Sequence, residues 1–226
     1  MTPTLGPDTR LSAVLFDLDG TLVDTMPAFA DLAAAVMQER HGLDFAVGRG
    51  RYLETSGLPF VQQLELICPA HPVNPAASAE FEARKLAVCR STSMDARTVA
   101  GLEALRALGL ALVVSSNTGQ DVVDEFTERE PLRFDLALGF DPARGLAKGL
   151  PHIERTLSAL RIARESLLFV GDSLRDAELA EQAGVPFVGR LGTFGADDFR
   201  RRNPDAITVA HVDELAALLR SHLAAS

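Results

Sequence analysis

Residues 13–25 read AVLFDLDGTLVDT and combine an apolar run with three acidic residues. Its first four residues are apolar without polar alternation, which is typical of a parallel strand buried on both faces. Asp17 and Asp19 follow at once. Because ligands of an open parallel sheet bind at the carboxyl ends of its strands, the stretch predicts a buried strand that ends in a ligand site.

Five further short apolar runs share this character. They span residues 110–114, 136–138, 167–170, 185–188 and 206–209. Helical patterns separate them at residues 120–128, 150–160 and 174–183, and a last one closes the chain at 212–223. Strands that alternate with helices predict an α/β fold, a doubly wound parallel sheet with helices on both faces.

One long stretch breaks this alternation. Residues 24–95 contain helical patterns at 27–39, 60–67 and 76–88, a Pro-rich loop at 68–75, and no convincing strand. A connection this long needs a structure of its own. We therefore expect a small helical domain at 24–95, inserted into a core formed by residues 1–23 and 96–226.

The composition excludes several classes of protein. Lys and Arg total 22 and Asp and Glu total 31, a net charge of −9, and no run of basic residues is longer than three. Such a chain is a poor candidate for binding nucleic acid or an anionic membrane. No apolar run approaches the roughly 18 residues of a membrane span, and residues 1–10 lack the apolar segment of a secretory signal. We expect a cytoplasmic protein, monomeric or homodimeric.

Polar side chains follow three of the predicted strands and should converge at one edge of the sheet. They are Asp17 and Asp19, then Ser115, Ser116 and Asn117, then Asp172 and Asp176. Carboxylates gathered in one place repel one another unless a cation neutralises them. Oxygen ligands without Cys or His select a hard metal, for which Mg²⁺ is the first candidate.

The stretch DLDGTLVDT, which begins at Asp17, resembles the first motif of the haloacid dehalogenase superfamily. Residues 110–117, Lys148 and residues 171–176 (GDSLRD) resemble its second, third and fourth motifs, in order. The helical insert matches the position of the small helical cap in this family. The family commonly has Lys-Pro-x-Pro at the third motif, whereas this chain has Lys-Gly-Leu-Pro from Lys148 onward.

The resemblance, which is to the phosphoglycolate-phosphatase-like branch, implies a Mg²⁺-dependent phosphatase that acts on a small phosphorylated metabolite through an aspartyl-phosphate. Asp17 would be the nucleophile and Asp19 the general acid and base. Ser116, helped by the backbone of Asn117, would bind the phosphoryl group, with Ser115 as the alternative. Lys148 would offset the negative charge.

The same resemblance implies a set of metal ligands. Asp17, Asp172 and the backbone carbonyl of Asp19 would hold Mg²⁺. Asp176 would either bind the ion through water or orient Lys148. The chemistry leaves open a phosphomutase, a dehalogenase, which would not need Asp19, and a catalytically silent binding module.

In this architecture the cap selects the leaving group of the substrate. Arg49 and Arg51 lie in a Gly-rich stretch (VGRGRYL, residues 47–53) that we interpret as a loop. They are candidates for binding an anionic leaving group, with a solvated loop as the alternative. His152 follows Pro151 near the start of a predicted helix, where we expect an ordinary surface histidine.

Overall fold

The computed structural model describes residues 10–225, and within this range it contains one six-stranded sheet. All neighbouring strands pair in parallel, and their order is β3-β2-β1-β4-β5-β6. The strands are β1 (Ala13–Asp17), β2 (Ala111–Gly119), β3 (Leu136–Phe140), β4 (Leu167–Gly171), β5 (Phe187–Arg190) and β6 (Ile207–Val209). The predicted α/β fold class is confirmed.

The helices of the core cover both faces of this sheet. They are α5 (Ala96–Ala107), α6 (Gln120–Arg129), α7 (Leu150–Leu160), α8 (Leu174–Ala183), α9 (Ala196–Arg202) and α10 (Val212–Ala225). Alternate residues of each strand point to opposite faces. Val14 and Phe16 therefore belong to the same apolar cluster as Leu102 of α5. Leu15, between them, belongs to the cluster on the other face with Ile153 of α7.

The chain separates into two compact units. One takes in the chain up to Val23 and again from Ser93 onward, and the other is Asp24–Thr92. The second unit is entirely helical: α1 (Met26–His41), α2 (Phe45–Glu54), α3 (Phe60–Ile67) and α4 (Asn74–Ser91). Its interior is aromatic, with the ring centroids of Phe60 and Phe81 4.2 Å apart.

Two details of this helical unit differ from the sequence prediction. Residues 47–53 are not a loop, because they belong to α2. The Asp44 side chain caps that helix by accepting hydrogen bonds from the backbone N–H groups of Ala46 and Val47, which offsets part of the cost of glycine in a helix. The Pro-rich loop is also shorter than predicted, because α4 begins at Asn74 and accepts Pro75 in its first turn, where no N–H donor is needed.

No helix in the described range is both long and apolar enough to cross a bilayer.

Candidate active site

The site begins where β1 ends, at Asp17. Asp17 is paired in register with Ser115 of β2, and the chain then folds into a tight turn. The backbone N–H groups of Leu22 and Val23 both donate to the carbonyl of Leu18, at 3.0 and 3.1 Å. Asp19 lies within this turn, and its Oδ2 accepts a hydrogen bond from Thr118 Oγ1 at 3.2 Å. The two carboxylates of the DLDGT stretch thus have different surroundings.

Three carboxylates converge at the carboxyl ends of β1 and β4. Asp17, Asp172 and Asp176 are all buried, and each offers an oxygen within 4.8 Å of the others. Asp172 Oδ2 is buried and has no hydrogen-bond partner among the described residues. A buried carboxylate oxygen without a donor is costly, and a bound cation would satisfy it.

Lys148 supplies the positive charge next to this cluster. Its Nζ lies 2.7 Å from Asp17 Oδ1 and 2.6 Å from Asp176 Oδ1, and its side chain is only 7% exposed. The following residue, Gly149, has φ 105° and ψ −139°, a conformation that essentially only glycine adopts. A Cβ at Gly149 would also lie 2.8 Å from Leu179 Cδ2. The glycine therefore sets the path of the backbone that delivers Lys148.

Asp176 is oriented by the helix that it begins. Ser173 is the N-cap of α8 and forms a capping box with Asp176. Asp176 Oδ2 accepts from Ser173 Oγ at 2.6 Å and from the Ser173 backbone N–H at 3.1 Å. Because Oδ2 is held in the cap, Oδ1 is the oxygen directed at Lys148.

Burial and mutual repulsion shift the pKa values of these groups. Burial raises the pKa of Asp17 to about 7, against the lowering effect of Lys148. Burial, followed by the charges of Asp17 and Asp176, raises the pKa of Asp172 well above its usual value. Burial alone would lower the pKa of Lys148, but the two carboxylates raise it more, so the ammonium stays protonated. One lysine does not balance three carboxylates, and the remaining negative charge suits a divalent cation.

Ser116 lies in a bulge of β2. Ser115 pairs with Leu138 and Gly119 with Phe140, so that three residues of β2 lie opposite the single residue Gly139 of β3. Bulges of this kind redirect side chains next to active sites. Within the bulge Ser116 is buried, and its Oγ accepts from the Thr118 backbone N–H at 3.0 Å. Asn117 is exposed.

The family profile haloacid dehalogenase-like hydrolase matches residues 14–190 of this chain, a range that includes Asp17, Ser116, Lys148, Asp172 and Asp176. The chain belongs to this family. The sequence-based recognition is therefore confirmed, and relatives that are phosphoglycolate phosphatases, 30% identical over 94% or more of this chain, make the chain a hydrolase of the phosphatase type.

Individual relatives of this haloacid dehalogenase-like hydrolase are phosphatases. The phosphoglycolate phosphatase of Salmonella typhi is 30% identical, with 94% of each chain covered. The N-acetylmuramic acid 6-phosphate phosphatase of Pseudomonas putida is also 30% identical, with 95% of this chain and 98% of that one covered. Among solved structures, a haloacid dehalogenase-like hydrolase from Streptococcus pneumoniae has a TM-score of 0.77 at 20% identity, covering 92% of this chain and 98% of that one. That structure supports the fold alone.

Sequence reasoning placed His152 of this hydrolase at the surface, and that expectation is wrong. His152 is fully buried on the first turn of α7. Its Nδ1 lies 2.8 Å from Ser115 Oγ, and its Nε2 lies 3.1 Å from the carbonyl oxygen of Gly139. Since the hydroxyl of Ser115 is engaged by this histidine, the geometry favours Ser116 as the serine that faces a ligand.

Two further residues of the site were not singled out from the sequence. Thr118, which donates to Asp19, had no signal of its own. Ser173 did have one, because a Ser three residues before an acidic residue at the start of a helical pattern is the signature of a capping box.

Arg49 and Arg51 belong to the helical unit, and the structure shows each with a carboxylate partner there. Arg49 Nε lies 2.7 Å from Asp31 Oδ1, and Arg51 Nη1 lies 3.1 Å from Glu54 Oε2. Both arginine side chains are exposed, at 39% and 60%. Their role in substrate binding stays a prediction.

Proposed function

We propose that this haloacid dehalogenase-like hydrolase is a Mg²⁺-dependent phosphatase that hydrolyses a small phosphorylated metabolite through an aspartyl-phosphate on Asp17. The observation that carries the proposal is the buried pairing of Asp17 with Lys148 at 2.7 Å, beside two more carboxylates. Such a site combines a nucleophile, a fixed cation and room for a metal in a place with little water, where electrostatic interactions are strong.

The first step transfers the phosphoryl group to the enzyme. One oxygen of the Asp17 carboxylate attacks phosphorus, and the bond between phosphorus and the ester oxygen breaks. Asp19, as a carboxylic acid, donates its proton to that departing oxygen. The hydrogen bond from Thr118 engages Oδ2 of the Asp19 carboxyl and so orients that group.

The second step returns the enzyme to its starting state. Asp19, now a carboxylate, takes a proton from a water molecule that attacks phosphorus. The bond between phosphorus and Asp17 breaks, and inorganic phosphate leaves. Thr118 keeps Asp19 oriented in both steps, so that one carboxyl group serves as acid and then as base.

The other residues stabilise negative charge on the phosphoryl oxygens. The Lys148 ammonium offsets this charge and that of Asp17, and Asp176 holds the ammonium in place at 2.6 Å. Ser116 Oγ–H and the backbone of Asn117 would donate to phosphoryl oxygens from the bulge of β2. Asp17 and Asp172, with the Asp19 carbonyl, would hold Mg²⁺, which when bound supplies Lewis-acid stabilisation of the same oxygens.

Phosphate release is the direct test of this proposal. With Mg²⁺ present, the purified protein is expected to release inorganic phosphate from a generic aryl phosphate and, with higher kcat/KM, from some members of a panel of phosphorylated metabolites. The relatives named above make phosphorylated hydroxyacids and sugar 6-phosphates the first compounds to include. Absence of phosphate release across the panel, or transfer of the phosphoryl group to a sugar without release, would contradict it.

Arg49 and Arg51 provide a test of substrate selection by the helical unit. We propose that this unit, Asp24–Thr92, acts as the cap. Changing both arginines to Ala should lower kcat/KM by at least about tenfold for substrates with an anionic leaving group, because a hydrogen bond to a charged group contributes about this much. The kcat/KM for the aryl phosphate should stay nearly unchanged. Arg84→Ala is the matched control, because Arg84 is likewise ion-paired within the same unit. Unchanged relative rates would assign Arg49 and Arg51 to the solvated surface.

A further inference from the structure

We infer that His152 is a positioning residue that fixes the Ser116 bulge of β2 and the Lys148 loop relative to each other. This inference rests on the proposed phosphatase function. It concerns a residue that does not touch the reacting atoms and acts through its neighbours.

The imidazole of His152 forms hydrogen bonds to both strands at the bulge. Ser115, 2.8 Å from Nδ1, is the last residue of β2 before the bulge. Gly139, whose carbonyl lies 3.1 Å from Nε2, is the residue of β3 that faces the bulge. One side chain therefore joins the two strands at the point where their register shifts.

The two hydrogen bonds define a single arrangement of protons. The Gly139 carbonyl can only accept, so Nε2 carries the hydrogen, and in a neutral ring Nδ1 then accepts from the Ser115 hydroxyl. Burial lowers the pKa of His152 to about 4, which agrees with a neutral ring. Both nitrogens are occupied and the residue is fully buried, which leaves no nitrogen available as a catalytic base.

The same residue is tied to Lys148 through the chain. His152 is four residues after Lys148, and it lies in the first turn of α7, next to Ile153 in the core. Ser115 is at the same time the register partner of Asp17. The backbone positions of Ser116 and Lys148 thus share His152 as a common point of attachment. Displacements of about 1 Å in such groups can cost as much as 10²-fold in rate.

Four variants test the inference. His152→Phe and Ser115→Ala remove the hydrogen bonds and should each lower kcat for the aryl phosphate by about 10- to 100-fold. The Asn side chain can place an acceptor near the position of Nδ1, and the Gln side chain can place a donor near that of Nε2. His152→Asn and His152→Gln should therefore each restore part of the lost kcat, and combining His152→Phe with Ser115→Ala should cost little more than either change alone.

The following measurements distinguish a positioning role of His152 from a role in stability and from a role in acid–base catalysis. Mg²⁺ affinity, measured by calorimetry, should stay within a few-fold of wild type, because the ring of His152 bonds to Ser115 and Gly139 and not to the carboxylate cluster. The pH dependence of kcat should keep its shape in His152→Asn. Thr156→Val is the control, since it removes a buried hydrogen bond to the His152 carbonyl on the same helix and should lower the melting temperature without lowering kcat.

Two results would overturn the inference. One is wild-type kcat in folded His152→Phe and Ser115→Ala, which would make His152 an ordinary core residue. The other is a change in the shape of the pH profile on removing His152, which would give it a role in proton transfer. Failure of the proposed function looks different, because the wild-type protein itself would then release no phosphate.

Discussion

Asp17→Asn is expected to lower kcat for phosphate release by at least about 10³-fold, the scale seen when a nucleophile is removed. The amide group has nearly the shape of the carboxylate but is a very weak nucleophile, so the first step is lost. The fold should persist, because the substitution removes a buried charge without creating a cavity. Phosphate release in single-turnover and steady-state assays measures the effect.

The control for this variant is Asp197→Asn, the same chemical change at a side chain that is 90% exposed. It should leave kcat within about twofold of wild type, as surface substitutions usually do. Mass spectrometry on the Asp17→Asn sample must show that no Asn has reverted to Asp by deamidation. Wild-type turnover in a sample that passes this check would exclude Asp17 as the nucleophile.

Removal of divalent cations is expected to abolish activity. Chelation with EDTA should reduce phosphate release to background, and added Mg²⁺ should restore it. Ca²⁺ should restore it poorly, because Ca²⁺ has longer bonds and a looser coordination geometry that would misplace the phosphoryl group. Asp172→Asn should raise the Mg²⁺ concentration required for half-maximal activity by at least about tenfold. Full activity after exhaustive chelation would contradict the assignment of the carboxylate cluster.

Thermal unfolding supplies a second readout for the same cluster. In metal-free protein, the carboxylates of Asp17, Asp172 and Asp176 repel one another, so Asp172→Asn should raise the melting temperature. Because a ligand stabilises the state that binds it, Mg²⁺ should raise the melting temperature of the wild-type protein and raise that of the variant much less. The same Asp197→Asn protein should respond to Mg²⁺ as the wild type does.

The sheet could be predicted from the sequence because its central strands are buried on both faces. Residues 13–16 and 167–170 are continuously apolar, and the observed strands β1 and β4 each extend them by one residue. The limits of α7 and α8 agree with the predicted ones, since Pro151 in a first turn and Gly184 after a last turn are strong local signals. Helix α2 was not predicted because its two glycines have a weak helix propensity, and the capping role of the Asp44 side chain was not recognised in the sequence.

Asp17, Asp172 and Asp176 lie together in the structure, because Asp17 and Asp172 are at the ends of neighbouring strands and Asp176 is in the first turn of the helix that follows β4. The sequence did not show which of Ser115 and Ser116 faces a ligand, or that His152 is buried. Both depend on contacts between distant parts of the chain: His152 is 37 residues from Ser115 and 13 from Gly139. No local pattern encodes a bulge in one strand or the side chain that bonds across it.

Gly149 limits how this chain can change over evolution. Relatives commonly place proline after the motif lysine, and proline requires φ near about −65°, whereas Gly149 has φ 105°. Gly149→Pro would therefore not fit the backbone path that places Lys148 next to Asp17 and Asp176. The Leu179 side chain also fills the space beside the glycine, so this loop conformation leaves no room for a Cβ at position 149. A chain with proline at this position must therefore bring its lysine to the carboxylates along a different backbone path.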